Sequence, residues 1–275
     1  MMGTTQRRVP LPFPDRQAAG LLLGAQLREQ LGAQAGQEPL IQVQPGPGGP
    51  GQEGSAAGPD AGGGLRVLVL GLPRGGVAVG AEVARILAAP LDVLVTRKIG
   101  YPLRPELGLA AIAEGGEPVY DHRLLATIGL EPADLQATAE REREELTRRV
   151  RVYRGGQPPP DVTGRLIVLV DDGIATGVTA RAALRAIRAR GAGRTILAVP
   201  VAPPAAAAQM MREADDVVVL ASPAAFRSVG EWYVSFGQLS DADVLALLAR
   251  ARARTGALRR SPRRGPEAAA GTDGI

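Results

Sequence analysis

The chain has 275 residues, 45% of them apolar, enough to bury one sizeable core or one core with a small appendage. It holds no cysteine and one histidine, His122, which excludes disulfides, thiolate metal sites, a cysteine nucleophile and any histidine-cluster metal centre. Its pI of about 10.1 suggests a polyanion partner, but seven arginines between positions 250 and 264 carry that charge, and taking their +7 from the net +4 leaves −3 elsewhere. A solvated basic tail therefore accounts for the pI and argues against nucleic acid.

Residues 1–15 are polar and broken by proline, with no secretory pattern, and no later stretch reads as a membrane span, so the cytoplasm is the expected compartment. Residues 16–31 predict an amphipathic helix with Asp15 as its N-cap and with Leu21, Leu22, Ala25 and Leu27 near one face. The composition then changes. Residues 45–64 contain no large apolar side chain, and 33–64 predict a disordered Gly/Pro-rich insertion.

From residue 65 the pattern becomes strand–helix alternation. Apolar runs at 65–70 and 92–96 predict buried strands, with a helix through Val83, Ile86 and Leu87 between them. Shorter strands are expected at 109–113 and 118–120, around the Gly115-Gly116 turn. Residues 131–153 predict one long helix whose charge run, pairing Glu144 with Arg148 and Glu145 with Arg149, reads as a solvated face. Five consecutive apolar residues, Leu166–Val170, are too short for a helix and predict a central parallel strand. A helix over 179–190 ends at Gly191; strands at 195–201 and 217–220 flank a helix over 205–212. Ser240-Asp241-Ala242-Asp243 opens a last helix over 244–253 with a capping-box pattern. The alternation implies an α/β fold, a central parallel sheet flanked by helices, over residues 10–253, followed by a flexible basic tail over 254–275.

The informative stretch runs from Val170 to Thr179. An apolar strand delivers Asp171 and Asp172 to its C-terminal end, where open α/β sheets place their ligands. A turn with Gly173 and Gly177 follows, and then a helix opens. Glycines let backbone N–H groups approach an anion, the helix N-terminus adds its dipole, and Thr176 and Thr179 add hydroxyls. Acceptors for sugar hydroxyls thus stand beside donors for a phosphate monoester, the order of groups in a ribose 5-phosphate. The segment is neither a Walker loop nor a G-x-G-x-x-G turn. The bland alternative is a structural strand-to-helix turn with two surface acids. A second glycine turn, Gly71-Leu72-Pro73-Arg74-Gly75-Gly76, follows the first core strand. A third segment, Thr96-Arg97-Lys98-Ile99-Gly100, carries the chain's single lysine into a polar, proline-bearing stretch over 101–108. By itself the first reads equally as an ordinary turn, and the alternative for the second is a simple surface loop.

The strand, the paired acids and the Thr-Gly-x-Thr turn resemble the ribose-phosphate motif of type I phosphoribosyltransferases. The resemblance implies that Asp171 and Asp172 hold the ribose hydroxyls while Gly173, Ile174, Ala175, Thr176, Gly177, Val178 and Thr179 cradle the 5-phosphate. It implies pyrophosphate binding by Arg74, Gly75 and Gly76, and a mobile loop bearing Arg97 and Lys98 that covers the pyrophosphate. It extends to a bacterial group of predicted phosphoribosyltransferases of unassigned substrate, through Phe13-Pro14-Asp15-Arg16, Ala19-Gly20, Pro73-Arg74-Gly75-Gly76, Arg97-Lys98-Ile99-Gly100, Pro105-Glu106-Leu107, Ala113-Glu114-Gly115-Gly116 and Val234-Ser235-Phe236 after Trp232-Tyr233. The 33–64 insertion departs from that pattern, and Leu109-Ala110-Ala111-Ile112 has alanine where glycine is expected.

Carried over, the reaction transfers ribose 5-phosphate from 5-phosphoribosyl-1-pyrophosphate to a base-like acceptor, releasing pyrophosphate through an oxocarbenium-like transition state. Mg²⁺ would be held by the substrate and by water, reaching Asp171 or Asp172 only through water. Arg74, Lys98 and backbone amides would stabilise the leaving pyrophosphate, and neither aspartate need act as a base. Ala175 stands where hypoxanthine- and guanine-specific members usually carry an acid, which argues against a 6-oxopurine acceptor. A small hood recognises the acceptor in this family, and Phe226, Trp232, Tyr233 and Phe236 are its candidates for stacking, with ordinary core packing the equal alternative. Two rivals stay open: a non-catalytic phosphoribosyl-pyrophosphate-binding regulator, and a nucleotide hydrolase or phosphorylase on a related fold. His122 is expected to cap a helix or sit at the surface. The sequence leaves oligomeric state, homo-oligomer included, open.

Overall fold

The computed structural model describes residues 9–35, 66–101 and 103–260. The expected insertion from residue 36 on and the tail from residue 261 on lie outside the described residues. Residues 33–35 instead close the first helix, and 254–260 belong to the last one. The central sheet has five parallel strands in the order β2 (Leu91–Val93), β1 (Val67–Gly71), β6 (Leu166–Val170), β7 (Arg194–Val201) and β8 (Asp216–Ala221). A second, three-stranded antiparallel sheet consists of β3 (Thr96–Tyr101), β4 (Arg104–Ala113) and β5 (Val119–Tyr120). The helices are α1 (Arg16–Ala35), α2 (Gly75–Ile86), α3 (His122–Ile128), α4 (Gln136–Arg154), α5 (Val178–Ala189), α6 (Pro204–Met210) and α7 (Asp241–Arg260).

Every residue of β1 and β6 is buried, and their side chains alternate between two layers. Val67, Val69, Leu166 and Val168 pack with Leu23 of α1, Val83 of α2 and Leu248 of α7. Leu68, Leu70, Ile167 and Leu169 pack with Leu184 and Ile187 of α5. Full burial of each such side chain is worth about 1.5–3 kcal/mol, so a polar residue in either run would be costly.

Several boundaries move, each for a physical reason. In α1, Asp15 caps the helix by accepting from Ala18 N at 2.8 Å, but the buried stripe is Ala19, Leu23, Leu27 and Leu31. Leu21 and Leu22 are 37% and 38% exposed, because α1 lies on α2 along its glycine edge, where a Cβ on Gly20 would meet the Val79 carbonyl at 2.7 Å. The apolar run at 92–96 spans two sheets. β2 ends at Val93, and the buried pair Leu94 and Val95 carries the chain into β3. Most of the stretch over 101–108 is strand β4, paired with β3 in a hairpin whose register slips around Gly100. Only Ile99 of β3 is buried, so a half-solvated strand reads as a polar loop.

The helix expected over 131–153 begins as a 3-10 turn, Pro132–Leu135, with a capping box between Glu131 and Asp134, and continues as α4. Glu145 pairs with Arg149 at 2.9 Å as expected. Arg148 also turns to Glu145, at 2.7 Å, rather than to Glu144, and the two guanidiniums hold the Glu145 carboxyl down at about 2. Ser240 and Asp243 cap α7 reciprocally at 2.8 Å and 3.2 Å, but the helix runs on to Arg260, beyond the expected end at 253.

The antiparallel sheet supplies the small hood. Ala111, Ala113 and Val119 seat it on Val178, Ala182 and Ala186 of α5, a contact that small residues make close. Residues 226–236, where the hood was expected, hold a 3-10 turn at Gly230–Trp232 and a single bridge from Tyr233 to Phe13 instead.

Candidate active site

The strand order reverses between β1 and β6. From β1 the chain moves outward to β2, whereas from β6 it moves the other way to β7 and β8. Loops leaving adjacent strands at such a point diverge and open a crevice at their C-terminal ends. Here the crevice is a cavity of about 760 Å³. Asp171, Asp172, Gly173, Ile174, Ala175, Thr176, Gly177 and Thr179 form one side, and Thr96, Arg97, Lys98, Gly100 and Tyr101 of β3 form another.

The turn after β6 is fixed at both ends. Ile174 N donates to Val201 O at 3.0 Å, and Gly177, in the left-handed conformation at φ 73°, starts α5. Val178 is buried against the hood and does not line the cavity. Asp171 Oδ1 accepts from Asp172 N at 2.9 Å. Desolvation and the neighbouring Asp172 push the Asp171 carboxyl well above the usual carboxylate range, with Lys98 and Arg16 pulling the other way. Burial likewise raises Asp172, opposed by Arg16, whose Nε lies 2.7 Å from Oδ2.

Gly75 and Gly76 serve by their missing side chains. A Cβ on Gly75 would overlap the Asp172 carboxylate, and one on Gly76 would run into the Val170 carbonyl and Asp171. The first glycine turn thus lies directly beneath the two acids, but it is Leu72 and Pro73 that line the cavity, not Arg74, Gly75 or Gly76. Arg74 stands at the start of α2, close enough to Tyr153 to act on its phenol, which burial and Asp241 together push up to about 12.

Lys98 faces Asp171 across the cavity, whereas the Arg97 guanidinium is held by Glu142 of α4 at 2.7 Å. None of Phe226, Trp232 and Tyr233 lines the cavity. Phe226 and Trp232 stack on each other, with centroids 6.2 Å apart, and Tyr233 is buried between Phe13 and Phe236 while its hydroxyl donates to Asp172 O. Val229 is the residue of that segment that reaches the cavity. His122 opens α3 outside the cavity, and the cap there is Asp121, which accepts from Leu124 N at 3.1 Å.

Two contributions escaped the sequence reading. Thr138, Arg141, Glu142 and Arg149 of α4 line the cavity, so one stripe of the supposedly solvated charge run faces the site. Their spacing of three, four and seven is one helix face, a signal masked by the charges that also cover the solvent-facing side of the helix. The far end of α4 is bolted down by Arg154, 3% exposed, which donates to Val93 O at 2.7 Å and to Glu114 Oε2 at 2.9 Å. Burial pushes the Glu114 carboxyl up, and Arg154 offsets this. The other missed residue is Arg16; its place in the segment from Phe13 to Arg16 was the available signal.

Two adjacent acids and a glycine–threonine turn thus stand together at the switch point of a parallel sheet. The family model for the phosphoribosyl transferase domain matches residues 60–235, and the chain belongs to this family. Proteins from two Mycobacterium tuberculosis strains, provisionally named phosphoribosyl transferases, are each 48% identical to it over 188 residues. That match takes in 68% of this chain and 42% of theirs, so the chain spans well under half the length of those relatives. TT1426 from Thermus thermophilus, of known crystal structure, is 38% identical; the superposition covers 86% of this chain and 98% of that one, with a TM-score of 0.63.

Proposed function

We propose that the chain transfers ribose 5-phosphate from 5-phosphoribosyl-1-pyrophosphate to a nitrogen acceptor, with Mg²⁺, releasing pyrophosphate. The observation that carries this reading is the meeting, in one cavity, of two half-buried aspartates, the glycine–threonine turn beside them, and Lys98 opposite. Asp171 and Asp172 accept the ribose hydroxyls and fix the sugar, which sets the line of attack on its C1 carbon before reaction. The turn's amides, with the Thr176 and Thr179 hydroxyls, take the 5-phosphate.

As the bond from C1 to the pyrophosphate oxygen breaks, the leaving group keeps the electron pair. Lys98, on the opposite wall from the aspartates, supports its growing charge. The acceptor nitrogen forms the new bond to C1 from the opposite face and gives up its proton afterwards, so neither aspartate has to act as a base.

Among the described residues no cluster of three or more His, Cys, Asp or Glu side chains could cage a metal ion. Two adjacent carboxylates that hold protons tightly are nevertheless hard oxygen donors poised for a cation, which suits a Mg²⁺ carried in by the pyrophosphate and touching Asp171 or Asp172 through water. When bound, that ion neutralises charge on the leaving group. Among the described residues no helix is long and apolar enough to cross a membrane. The reading carries with it a water-borne substrate, met in the cytoplasm.

The test is calorimetric titration with Mg²⁺ and 5-phosphoribosyl-1-pyrophosphate, followed by an assay of pyrophosphate release with a panel of purines and pyrimidines. Binding with acceptor-dependent release is the expected result. Binding with no release from any acceptor would favour a regulator, and no binding would remove the reading altogether.

A further inference from the structure

Arg16 belongs to neither ligand turn, yet its guanidinium reaches the end of β6. Its Nε lies 2.7 Å from Asp172 Oδ2, with the two side chains only 13% and 15% exposed. Nη1 donates to Gly237 O at 2.9 Å, and the guanidinium carbon stands 3.8 Å from the centre of the Phe236 ring. A planar fork held by a carboxylate, a carbonyl and a ring face has very little rotational freedom.

The platform behind it is pinned as well. Phe13 N donates to Trp232 O at 2.8 Å, Val234 N to Phe13 O at 2.8 Å, and Ser235 N to Pro14 O at 2.9 Å. On the other side of the same aspartate, Gly75 leaves room for the carboxylate and for nothing more, and the Tyr233 hydroxyl holds the Asp172 carbonyl.

We propose that Arg16 is a positioning residue of the ribose site, fixing the Asp172 carboxylate in the orientation that accepts a sugar hydroxyl, so that the start of α1 and residues 233–237 are working parts of that site. Two neighbouring half-buried carboxylates repel each other, and among the described residues the charged or titratable groups that bear on the pair include Arg16, Lys98 and the buried Tyr233 phenol. Of these, Arg16 is the cation in direct contact. Without it the pair would share a proton more readily, and Asp172 could turn towards that proton and away from the sugar. The assignment rests on the phosphoribosyl-pyrophosphate reading.

The experiment is calorimetry of the full chain with Mg²⁺ and 5-phosphoribosyl-1-pyrophosphate across a pH series. The variants are Arg16→Gln, Arg16→Lys, Asp172→Asn and the double variant Arg16→Gln/Asp172→Asn. Arg16→Gln should weaken binding about tenfold or more and move the acid limb of the profile to higher pH. Arg16→Lys keeps the charge without the fork, so it should recover part of the affinity and restore the limb. The double variant should bind no worse than Asp172→Asn alone, because Arg16 acts through that carboxylate.

Additive losses in the double variant, or an Arg16→Gln profile superimposable on wild type, would overturn the proposal. Should Arg16→Gln fail to fold, Arg16→Lys decides: wild-type affinity would overturn the need for the fork, and a partial loss with an unmoved limb would support it. Failure of the wild type itself to bind the sugar would instead bring down the reading beneath, a separate and recognisable outcome.

Discussion

The turn after β6 and the helix α4 face each other across one cavity, and they reached that position in opposite ways. In the turn, the chemistry lies in neighbouring residues: Asp171 and Asp172 must come off the same strand end, and the glycines and threonines follow at once. In α4, a charge-rich helix contributes Thr138, Arg141, Glu142 and Arg149 from a position set by its packing and by Arg154, which ties its far end to Val93 and Glu114. Local chemistry survives in a sequence, whereas placement by a distant bolt does not.

The largest expected effect breaks that bolt. Arg154→Ala leaves the half-buried Glu114 without the cation that contacts it and frees the Val93 carbonyl, and it should cost about 3–5 kcal/mol in denaturant unfolding. A loss below about 1 kcal/mol would mean that α4 is held in place by something else.

Next come the acids of the turn. Asp172→Asn should weaken binding of 5-phosphoribosyl-1-pyrophosphate more than about tenfold, or about 1.4 kcal/mol, by calorimetry. Gly75→Ala should do comparable damage, because the added methyl displaces the same carboxylate; unchanged affinity would show that the glycine merely packs.

The pH dependence separates stability from binding. Asp171 is raised by desolvation and by Asp172, so the folded state holds its proton more tightly than the unfolded chain does. Its contribution to stability is fullest below the ordinary carboxylate value of about 3.9 and is lost as the pH rises through the raised value. Ligand affinity should run the other way and fall as the pH is lowered through that raised value, since the ionised carboxylate accepts the hydroxyls. Asp171→Asn should therefore raise the neutral-pH melting temperature of the free protein while weakening the ligand. A variant that loses both stability and affinity would contradict this.

The smallest effect belongs to the wall. Glu142→Gln removes the acid that neutralises Arg97 at 2.7 Å, and it should tighten pyrophosphate-bearing ligands by roughly threefold. No change in affinity would return α4 to the role of a solvated face.

The parallel sheet was legible because Leu166–Val170 and its neighbours are continuous apolar runs, which tell a buried strand from its length and its punctuation. The place of the glycine–threonine turn at the cavity was legible because its residues are contiguous. The hood was not. β3 buries a single side chain, Ile99, so Arg97 and Lys98 looked like loop residues, and the late aromatic cluster looked like a stacking platform. Those rings turn out to be packed on one another and on Arg16, behind Asp172 rather than in front of it. Sequence spacing gave no hint that the N-terminal segment and residues 232–237 would meet there, because the pairing of Phe13 with Tyr233 joins positions 220 residues apart.

The most direct single measurement is a crystal structure of the protein soaked with 5-phosphoribosyl-1-pyrophosphate and Mg²⁺. The account predicts ribose hydroxyls within hydrogen-bonding distance of the Asp171 and Asp172 carboxylates, and the 5-phosphate seated on the amides between Gly173 and Thr179. Sugar density elsewhere, or a cavity empty at saturating ligand, would contradict it.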